Sequence, residues 1–349
     1  MTILVELVKN EQSYVGFGNT KVAKQVLLKV LSDWSNYFKA LRSYGVNSAK
    51  FLGKPKMPGY KNKLAQVTFY GETIRMKPRK KGIIQPTNDL FQIKSDKPFK
   101  QVVITPKAKG FVIDVVYEID VPKPKRKTPK QLANQKSCFI DLGVNNLCSI
   151  TSDQTGVKPV LVNGRIVKSI NQWFNKKPNK QRSQKRYWRL ENYFHHVSKY
   201  IIEFCKTNGL SRIIIGRNEG WKQGCKLQRV QNQAFQSIPF YKLIQKIQYK
   251  AQLAGIEVIF TEEAYTSQSS FFDADLLPSY ERGAKASEFS GTRVKRGLYK
   301  TADGHLLNAD VNGSLNIGRK VIGDTLIERV NRSVAATPER VNPLRIFSN

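Results

Sequence analysis

Acidic residues, paired cysteines and long apolar runs are all scarce in this chain of 349 residues. Its four cysteines lie far apart, so none has the C-x-x-C spacing of a zinc ribbon. No segment approaches the roughly 18 continuous apolar residues of a membrane helix. The first residues also lack the basic and apolar regions of a secretory signal. These absences predict a soluble, cytoplasmic protein with reduced thiols.

The charge balance points to a polyanionic partner. The 59 Lys and Arg residues outnumber 26 Asp and Glu residues, which gives a formal net charge of +33. Nucleic acid is the usual partner of such a chain, because each neutralised phosphate releases condensed counterions. Two segments concentrate this charge, "FLGKPKMPGYKNK" and "NKKPNKQRSQKRYWR", and Trp188 in the second is predicted to lie in the core. The predicted nucleic-acid contacts in these segments are Lys54, Lys56, Asn62, Lys185, Arg186 and Arg189.

Changes in composition divide the chain into segments. Apolar residues at helical spacing predict an amphipathic helix from Thr20 to Leu41. Short alternating strands then predict a small antiparallel sheet or barrel. The basic run "PKPKRKTPK" indicates a linker, since proline and repeated charge disfavour helix and strand. The predicted segments are an N-terminal helical, nucleic-acid-binding segment (1–63), a β-barrel-like segment (64–121), a linker (122–135), a main domain (136–323) with an insertion (265–306), and a C-terminal tail (324–349).

The main domain alternates strands and helices in a specific order. Three strands, "SCFIDL", "LCSITS" and "PVLVNG", precede the long helix "RYWRLENYFHHVSKYIIEFCKT". Strand "RIIIG", helix "FYKLIQKIQYKAQLAG" and strand "IEVIFTEE" follow, and a last helix begins in "NADVNGSLNIGRKVI". The order βββαβαβα implies parallel pairing across the helices. It predicts an α/β, ribonuclease-H-like domain within a multidomain α+β chain.

Two aspartates stand where such a fold gathers catalytic acids. Asp141 ends the first strand, and Asp310 precedes a helix that is predicted to be short. Hard oxygen ligands of this kind suit Mg²⁺ or Mn²⁺, and two such ions can activate water and stabilise the leaving oxygen of a phosphodiester. The alternative roles are an N-cap for Asp310 and a turn former for Asp141. Taken together on this strand order, the pair favours a metal site.

Three stretches resemble a known family. "FIDLGVNNLCSI", "YTSQ" and "NADVNGSLNI" are similar to motifs of the transposon-encoded TnpB (OrfB) proteins, which are RNA-guided DNA endonucleases with a RuvC domain related to the type V CRISPR effectors. The resemblance implies that Asp141 and Asp310 are RuvC acids. It also implies a guide RNA from the transposon end and a target DNA as partners, and association with the nucleoid. The N-terminal helices and barrel would hold the guide scaffold and the hybrid.

The chain departs from this pattern at the middle acid. Gly216 stands after strand "RIIIG", where the family carries a glutamate. Glu219 lies just beyond it, and Glu262 and Glu263 end the neighbouring strand. We predict that Glu262 or Glu263 is the relocated third ligand, with Glu263 holding metal. The alternative is two solvated acids leaving a strand, which would weaken or abolish the site.

The insertion lacks the family's cysteines after the Tyr-Thr-Ser-Gln motif, so no zinc is expected. Packing of Phe271, Phe272, Leu276 and Leu277 is predicted to order it instead. Gln268 is predicted to contact DNA near the metals or to cap a turn. The N-terminal segment is also shorter than is usual in the family, which could remove one barrel strand. The oligomeric state stays open between monomer and homodimer.

The sequence is also compatible with three other functions to different degrees. A nuclease-inactive, RNA-guided DNA-binding repressor shares every basic feature and differs only in the third acid. A DNA transposase would need a catalytic tyrosine with a metal-binding histidine pair, and no His-x-His pair is present. A general basic RNA-binding protein has no use for acids at strand and helix ends.

Overall fold

The computed structural model divides the chain into two compact units, Met1–Asp120 and Val121–Asn349. Glu219, Cys225 and nearly all of the predicted linker lie outside the described residues. No helix in the described part of the chain is long and apolar enough to cross a membrane. The structure describes residues 2–17, 19–60, 62–71, 74, 82–86, 92–107, 110–120, 135–217, 229–279 and 288–347.

The first unit begins with three helices, α1 (Thr2–Val8), α2 (Gln12–Val15) and α3 (Thr20–Val46), followed by one 3₁₀ turn (Ser48–Lys50). The predicted helix is confirmed in α3, which runs five residues further than expected. Asn19 caps it by accepting hydrogen bonds from the backbone N–H groups of Lys21 and Val22.

Short strands form the rest of the first unit: β1 (Val67–Tyr70), β2 (Ile83–Ile84), β3 (Ile93–Lys94), β4 (Gln101–Lys107) and β5 (Gly110–Val116). The antiparallel sheet has the order β1-β4-β5, and β2 pairs with β3. Its core contains Phe69, Phe99, Val102 and Val22 of α3. Closure into a barrel stays a prediction, because the described strands form one open sheet and one hairpin.

A six-stranded sheet forms the centre of the second unit, in the order β10-β9-β6-β7-β8-β14. β6, β7 and β8 pair antiparallel, whereas β9 and β10 run parallel to β6 and β14 runs parallel to β8. This confirms the predicted parallel pairing across the helices. The strands are β6 (Ser137–Leu142), β7 (Asn146–Ser152), β8 (Val160–Asn163), β9 (Arg212–Gly216), β10 (Glu257–Thr261) and β14 (Glu339–Val341).

Helices cover both faces of this sheet. The long predicted helix is confirmed in α5, but it begins six residues earlier than the sequence indicated, inside the basic stretch. The helix that carries Asp310, α8, is 14 residues long, not short as predicted, and it begins one residue before Asp310. The helices of this unit are α4 (Arg165–Lys176), α5 (Lys180–Thr207), α6 (Arg229–Gln236), α7 (Phe240–Leu253), α8 (Ala309–Ile322), α9 (Thr325–Arg329), α10 (Arg332–Ala335) and α11 (Pro343–Ile346).

The predicted C-terminal tail is part of this unit. Residues 324–349 contain α9, α10, α11 and β14, and β14 adds an outer strand to the sheet. Cys138, Cys148 and Cys205 are buried free thiols in the core, as predicted.

Helix α8 packs unusually closely on β6. A Cβ added at Gly318 would lie 2.6 Å from the ring of Phe139. The buried Ser314 Oγ donates to the carbonyl oxygens of Phe139 and Ser149, which lie 3.0 and 3.1 Å away. The absence of a side chain at Gly318 therefore lets the helix that carries Asp310 approach the strand that carries Asp141.

Gly318→Ala should destabilise the second unit by about 1–3 kcal/mol, because the new methyl group overpacks against Phe139. We expect a melting temperature lower by several degrees, given about 2–4 °C per kcal/mol for a unit of this size. Thermal unfolding measures the effect. Phe139→Leu in the same chain provides the control, since the double variant should lose less stability than the two single losses summed. Additive losses would contradict the close packing.

Candidate active site

Asp141 lies on β6, the central strand, one residue before its end. It pairs in register with Ser149 of β7. A Cβ added at Gly313 of α8 would lie 2.8 Å from Asp141 Oδ2. The carboxylate therefore fills a space that the glycine in α8 leaves open.

Asp310 lies in the first turn of α8 without capping it. The cap is Asn308, whose Oδ1 accepts hydrogen bonds from the N–H groups of Asp310 and Val311 at 3.0 and 3.3 Å. The alternative role of Asp310 as the N-cap is therefore wrong. Its side chain instead accepts a hydrogen bond from Asn146 Nδ2 at 2.6 Å, and Arg293 Nη2 lies 3.6 Å from Oδ1.

Glu263 occupies the space beside the glycine that replaces the expected acid. Gly216 pairs in register with Thr261, the last residue of β10, so the chain leaves both strands at the same edge. A Cβ added at Gly216 would lie 3.3 Å from Glu263 Cβ and 2.4 Å from the Ile317 side chain. A glutamate at position 216 would collide with Ile317, and Glu263 approaches the site from the next strand instead.

Two of the predicted acids, Glu263 and Asp310, lie close enough to Asp141 to change its pKa. Burial raises the pKa of Asp141 well above its ordinary value, and the charges of Glu263 and Asp310 raise it further, whereas Arg293 lowers it. Burial also raises the pKa of Glu263 to about 7, against a lowering by Lys320. Like-charged carboxylates near one another disfavour ionisation. A cation placed among them would reverse that penalty.

Glu262 does not belong to this group. Its carboxylate lies 3.5 Å from Lys320 Nζ, and its side chain is 37% exposed. The charge of Glu263 contributes to the raised pKa of Asp141 and that of Glu262 is not among its causes, so the geometry favours Glu263 as the third ligand, which stays a prediction. Consecutive residues that leave a strand point in different directions, which the sequence alone could not resolve.

The donor set suits a hard divalent cation. Asp141, Glu263 and Asp310 offer carboxylate oxygens, the ligands that Mg²⁺ and Mn²⁺ prefer. In the described residues, no three acidic, histidine or cysteine side chains already converge on one ligating point. Asp310 is turned toward Asn146 and Arg293, so the site has the chemistry for a metal without a closed ligand shell.

Two asparagines that the sequence analysis did not assign hold the Tyr-Thr-Ser-Gln segment on α8. Asn316 Nδ2 donates to the carbonyl oxygens of Thr266 and Ser269 at 3.0 and 2.7 Å. Asn312 Nδ2 donates to Ser269 O at 2.7 Å and its Oδ1 accepts from Phe271 N at 3.1 Å. Their spacing of four residues on one helix face was the available signal. They fix the loop that follows Glu263.

Carboxylates and aromatic rings order the insertion. Asp275 accepts from the N–H groups of Ser270 and Ser290, and Asp273 accepts from Ala302 N at 2.9 Å. Phe271 and Phe272 are buried in the core, as predicted, but Leu276 is 81% exposed and its predicted packing is wrong. Leu277 is partly buried. The insertion ends in an antiparallel sheet of β11 (Thr292–Lys295), β12 (Leu298–Lys300) and β13 (Leu306–Asn308).

Some of the predicted nucleic-acid contacts in the second unit are exposed to solvent, whereas others already contact neighbouring side chains. Lys185 and Gln268 are exposed. Arg189 stacks on one ring, Trp173, at 4.8 Å, and Arg182 stacks on the same ring at 5.0 Å. Arg186 donates to Asn171 Oδ1 and Ser237 O at 2.7 and 2.8 Å, so it tethers helices within the unit.

The aromatic prediction beside these residues needs one correction. Trp188 was predicted to be in the core, but its side chain is 47% exposed. Residues 180–207 form one helix, and Trp188 lies on its outer face while Leu190 is buried.

In the first unit, the predicted nucleic-acid contacts Lys54, Lys56 and Asn62 are exposed.

Comparisons with known proteins find a family model that matches part of the chain. The family model "Cas12f1-like, TNB domain" matches residues 240–317. A CRISPR-associated endodeoxyribonuclease Cas12f1 from Sulfoacidibacillus thermotolerans is 28% identical over 138 residues, or 39% of this chain. The chain spans only 28% of that relative's length in the match. The matched family segment includes Glu263, Asp310 and the insertion.

Two solved structures are also similar. One is a Cas12f1-sgRNA-target DNA complex (TM-score 0.40, 16% identity, 64% of this chain and 46% of that chain). The other is a CRISPR-Cas12f ternary complex (TM-score 0.38, 14% identity, 91% of this chain and 74% of that chain). The sequence comparisons thus support relation to a Cas12f/TnpB-type family of nucleases, most directly over the TNB-like segment at residues 240–317.

Proposed function

We propose that this protein is a metal-dependent, RNA-guided DNA endonuclease of the TnpB type, with a RuvC, ribonuclease-H-like nuclease domain. The observation that carries the proposal is the grouping of Asp141, Glu263 and Asp310 at one edge of the sheet, where burial and the charges of the other two raise the pKa of Asp141. A carboxyl whose pKa is raised both by burial and by two neighbouring acids is typical of a functional site. The relation to Cas12f1 supports DNA as the substrate.

Asp141, Glu263 and Asp310 would hold Mg²⁺ or Mn²⁺, which supplies Lewis acidity and an activated water when bound. The residues of the chain set the geometry. Gly313 gives Asp141 its space, Asn308 fixes the start of α8, and Asn146 orients Asp310. Arg293 brings a positive charge beside Asp310, where it can neutralise the scissile phosphate.

Exposed basic and amide side chains support nucleic-acid partners. A guide RNA from the transposon end would contact Lys54, Lys56 and Asn62 in the first unit, and Lys185 and Arg189 in the second. Arg189 and Arg182 are held on Trp173, so their guanidinium groups lose less freedom when they bind phosphate. Arg186 acts as a helix tether in this account, and Gln268 contacts the DNA strand near the acids.

The test is a cleavage assay with protein co-expressed alongside RNA from its own flanking locus. Matched DNA should be cut in Mg²⁺ and left intact in EDTA or without the RNA. Tight RNA-dependent binding with no cutting would instead establish the inactive, repressor-like function. Two observations favour this inactive, repressor-like candidate. Gly216 stands in place of the middle acid, and Asp310 contacts Asn146 and Arg293.

Arg293→Ala should slow cutting by about 10²-fold, a typical loss when one charge-stabilising donor is removed. The same variant should bind Mn²⁺ at least as tightly as the wild type, because Arg293 no longer pairs with Asp310. Lys295→Ala is the matched control, since it removes the same charge from the same strand. Equal losses in both variants would mean that only the general charge of β11 matters.

A further inference from the structure

A cavity lined by amide and guanidinium side chains, with Leu161 and Val341 as its apolar members, adjoins the acids along the same edge of the sheet. Its volume is about 210 Å³, and it lies where β8 and β14 end and β7 begins. Asn146 both lines this cavity and donates to Asp310 at 2.6 Å. The polar and charged side chains that line it are Asn145, Asn146, Asn163, Arg165, Arg340 and Asn342.

The walls of the cavity are fixed by close backbone contacts. Gly164 N donates to Asn145 O at 2.8 Å, and a Cβ added at Gly164 would lie 2.4 Å from Val144 O. Arg165 N donates to Asn163 Oδ1 at 2.9 Å, and Leu344 N donates to Asn342 Oδ1 at 3.2 Å. The cavity therefore exists before any ligand binds, which lowers the entropic cost of binding.

The charged groups of the cavity are both cationic. Arg165 and Arg340 are exposed, and in the described residues neither guanidinium has an ion pair or hydrogen bond. Helix α4 begins at Arg165, so the positive end of its dipole adds to this field. Asparagine amides supply neutral donors and acceptors. Free guanidinium groups beside amides suit a phosphodiester backbone.

We infer that this cavity binds the phosphate and sugar of the DNA strand next to the bond that is cut. The inference rests on the proposed function. A cavity of this size accepts one nucleotide's backbone and not a duplex, so the strand enters as a single strand. Because Asn146 touches both the cavity and Asp310, it would couple strand binding to the orientation of that acid.

The experiment measures binding without cutting, in EDTA, with the Asp141→Ala full-length protein. The probe is a fluorescent single-stranded DNA 12-mer carrying one 4-thiothymidine, with an RNA 12-mer as the second arm. Arg165→Ala with Arg340→Ala is the test pair. Lys158→Ala with Lys206→Ala removes the same charge at the opposite end of the sheet and is the matched control.

We expect crosslinks to residues 143–146 and 163–165, and about tenfold weaker DNA binding in the test pair only. The slope of log affinity against log salt should fall by about 1.4, as for two lost contacts at about 0.7 each. Equal binding by the test and control pairs overturns the inference, and so does a crosslink at this cavity that prefers RNA. Failure of the proposed function is distinguishable, because wild-type protein would then leave matched DNA uncut in Mg²⁺ while these binding results held.

Discussion

Asp141→Ala should abolish DNA cutting, with a loss of at least about 10³-fold, while RNA-dependent DNA binding stays within a few-fold of the wild type. A bound metal contributes several kcal/mol to the transition state, and each 1.4 kcal/mol is a factor of ten in rate. Asp141 lies near the end of the central strand, and the charges of both other acids raise its pKa. A cleavage time course and a filter-binding titration measure the two quantities.

Asp141→Asn gives a second readout that does not depend on activity. A carboxyl whose pKa is raised by folding binds more protons in the folded state, so its ionisation costs stability as pH rises from its unfolded pKa through its folded one. In EDTA at neutral pH, the asparagine variant should therefore melt at a higher temperature than the wild type. Cutting by either Asp141 variant at the wild-type rate would refute the assignment. A lower melting temperature for Asp141→Asn would contradict the raised pKa of Asp141 that burial and the neighbouring acids together produce.

Glu263→Ala should reduce cutting by about 10²-fold or more, whereas Glu262→Ala should stay within about threefold of the wild type. The two residues are adjacent in sequence, which makes each the matched control of the other. Glu263 lies beside Gly216, and its charge adds to the burial that raises the pKa of Asp141, whereas the Glu262 side chain is 37% exposed and is not among the causes of that shift. The magnitude follows from the several kcal/mol that a bound metal contributes. Single-turnover cleavage rates in Mg²⁺ are the measurement.

The outcome at these two positions separates the active and inactive forms of the proposal. If both variants cut at the wild-type rate, the third ligand is neither residue. If the wild-type protein binds matched DNA but never cuts it, the presence of Gly216 in place of the middle acid has abolished the nuclease activity. Gly216→Glu is not a useful rescue, because its side chain would collide with Ile317.

The order of strands and helices in the second unit was predictable because its signals are local. Apolar runs such as Arg212–Gly216 and the helical spacing of Phe240–Leu253 are read directly from the chain. The proximity of Asp141 and Asp310 was also predictable, since in a ribonuclease-H-like strand order the helix after the last strand meets the end of the first strand. The topology then brings the two acids into electrostatic contact.

Contacts between residues far apart in the chain could not be predicted from the sequence. The sequence predicted Glu263 as the metal ligand without a local pattern that separates it from Glu262, because both residues simply follow β10. Arg293 reaches Asp310 through a hairpin that folds back over the site, and Arg186 is used as a helix tether. Such pairings depend on tertiary geometry, which residue type and spacing do not specify.

The most direct test of the metal centre is Mn²⁺ binding, followed by electron paramagnetic resonance, to the wild type and to Asp141→Ala, Glu263→Ala and Glu262→Ala. No guide RNA or target is needed, so the result depends only on the carboxylates. We predict that the wild type and Glu262→Ala bind Mn²⁺ alike and that the other two variants lose at least tenfold in affinity. Equal binding by all four proteins would contradict the account that Asp141, Glu263 and Asp310 form one metal centre.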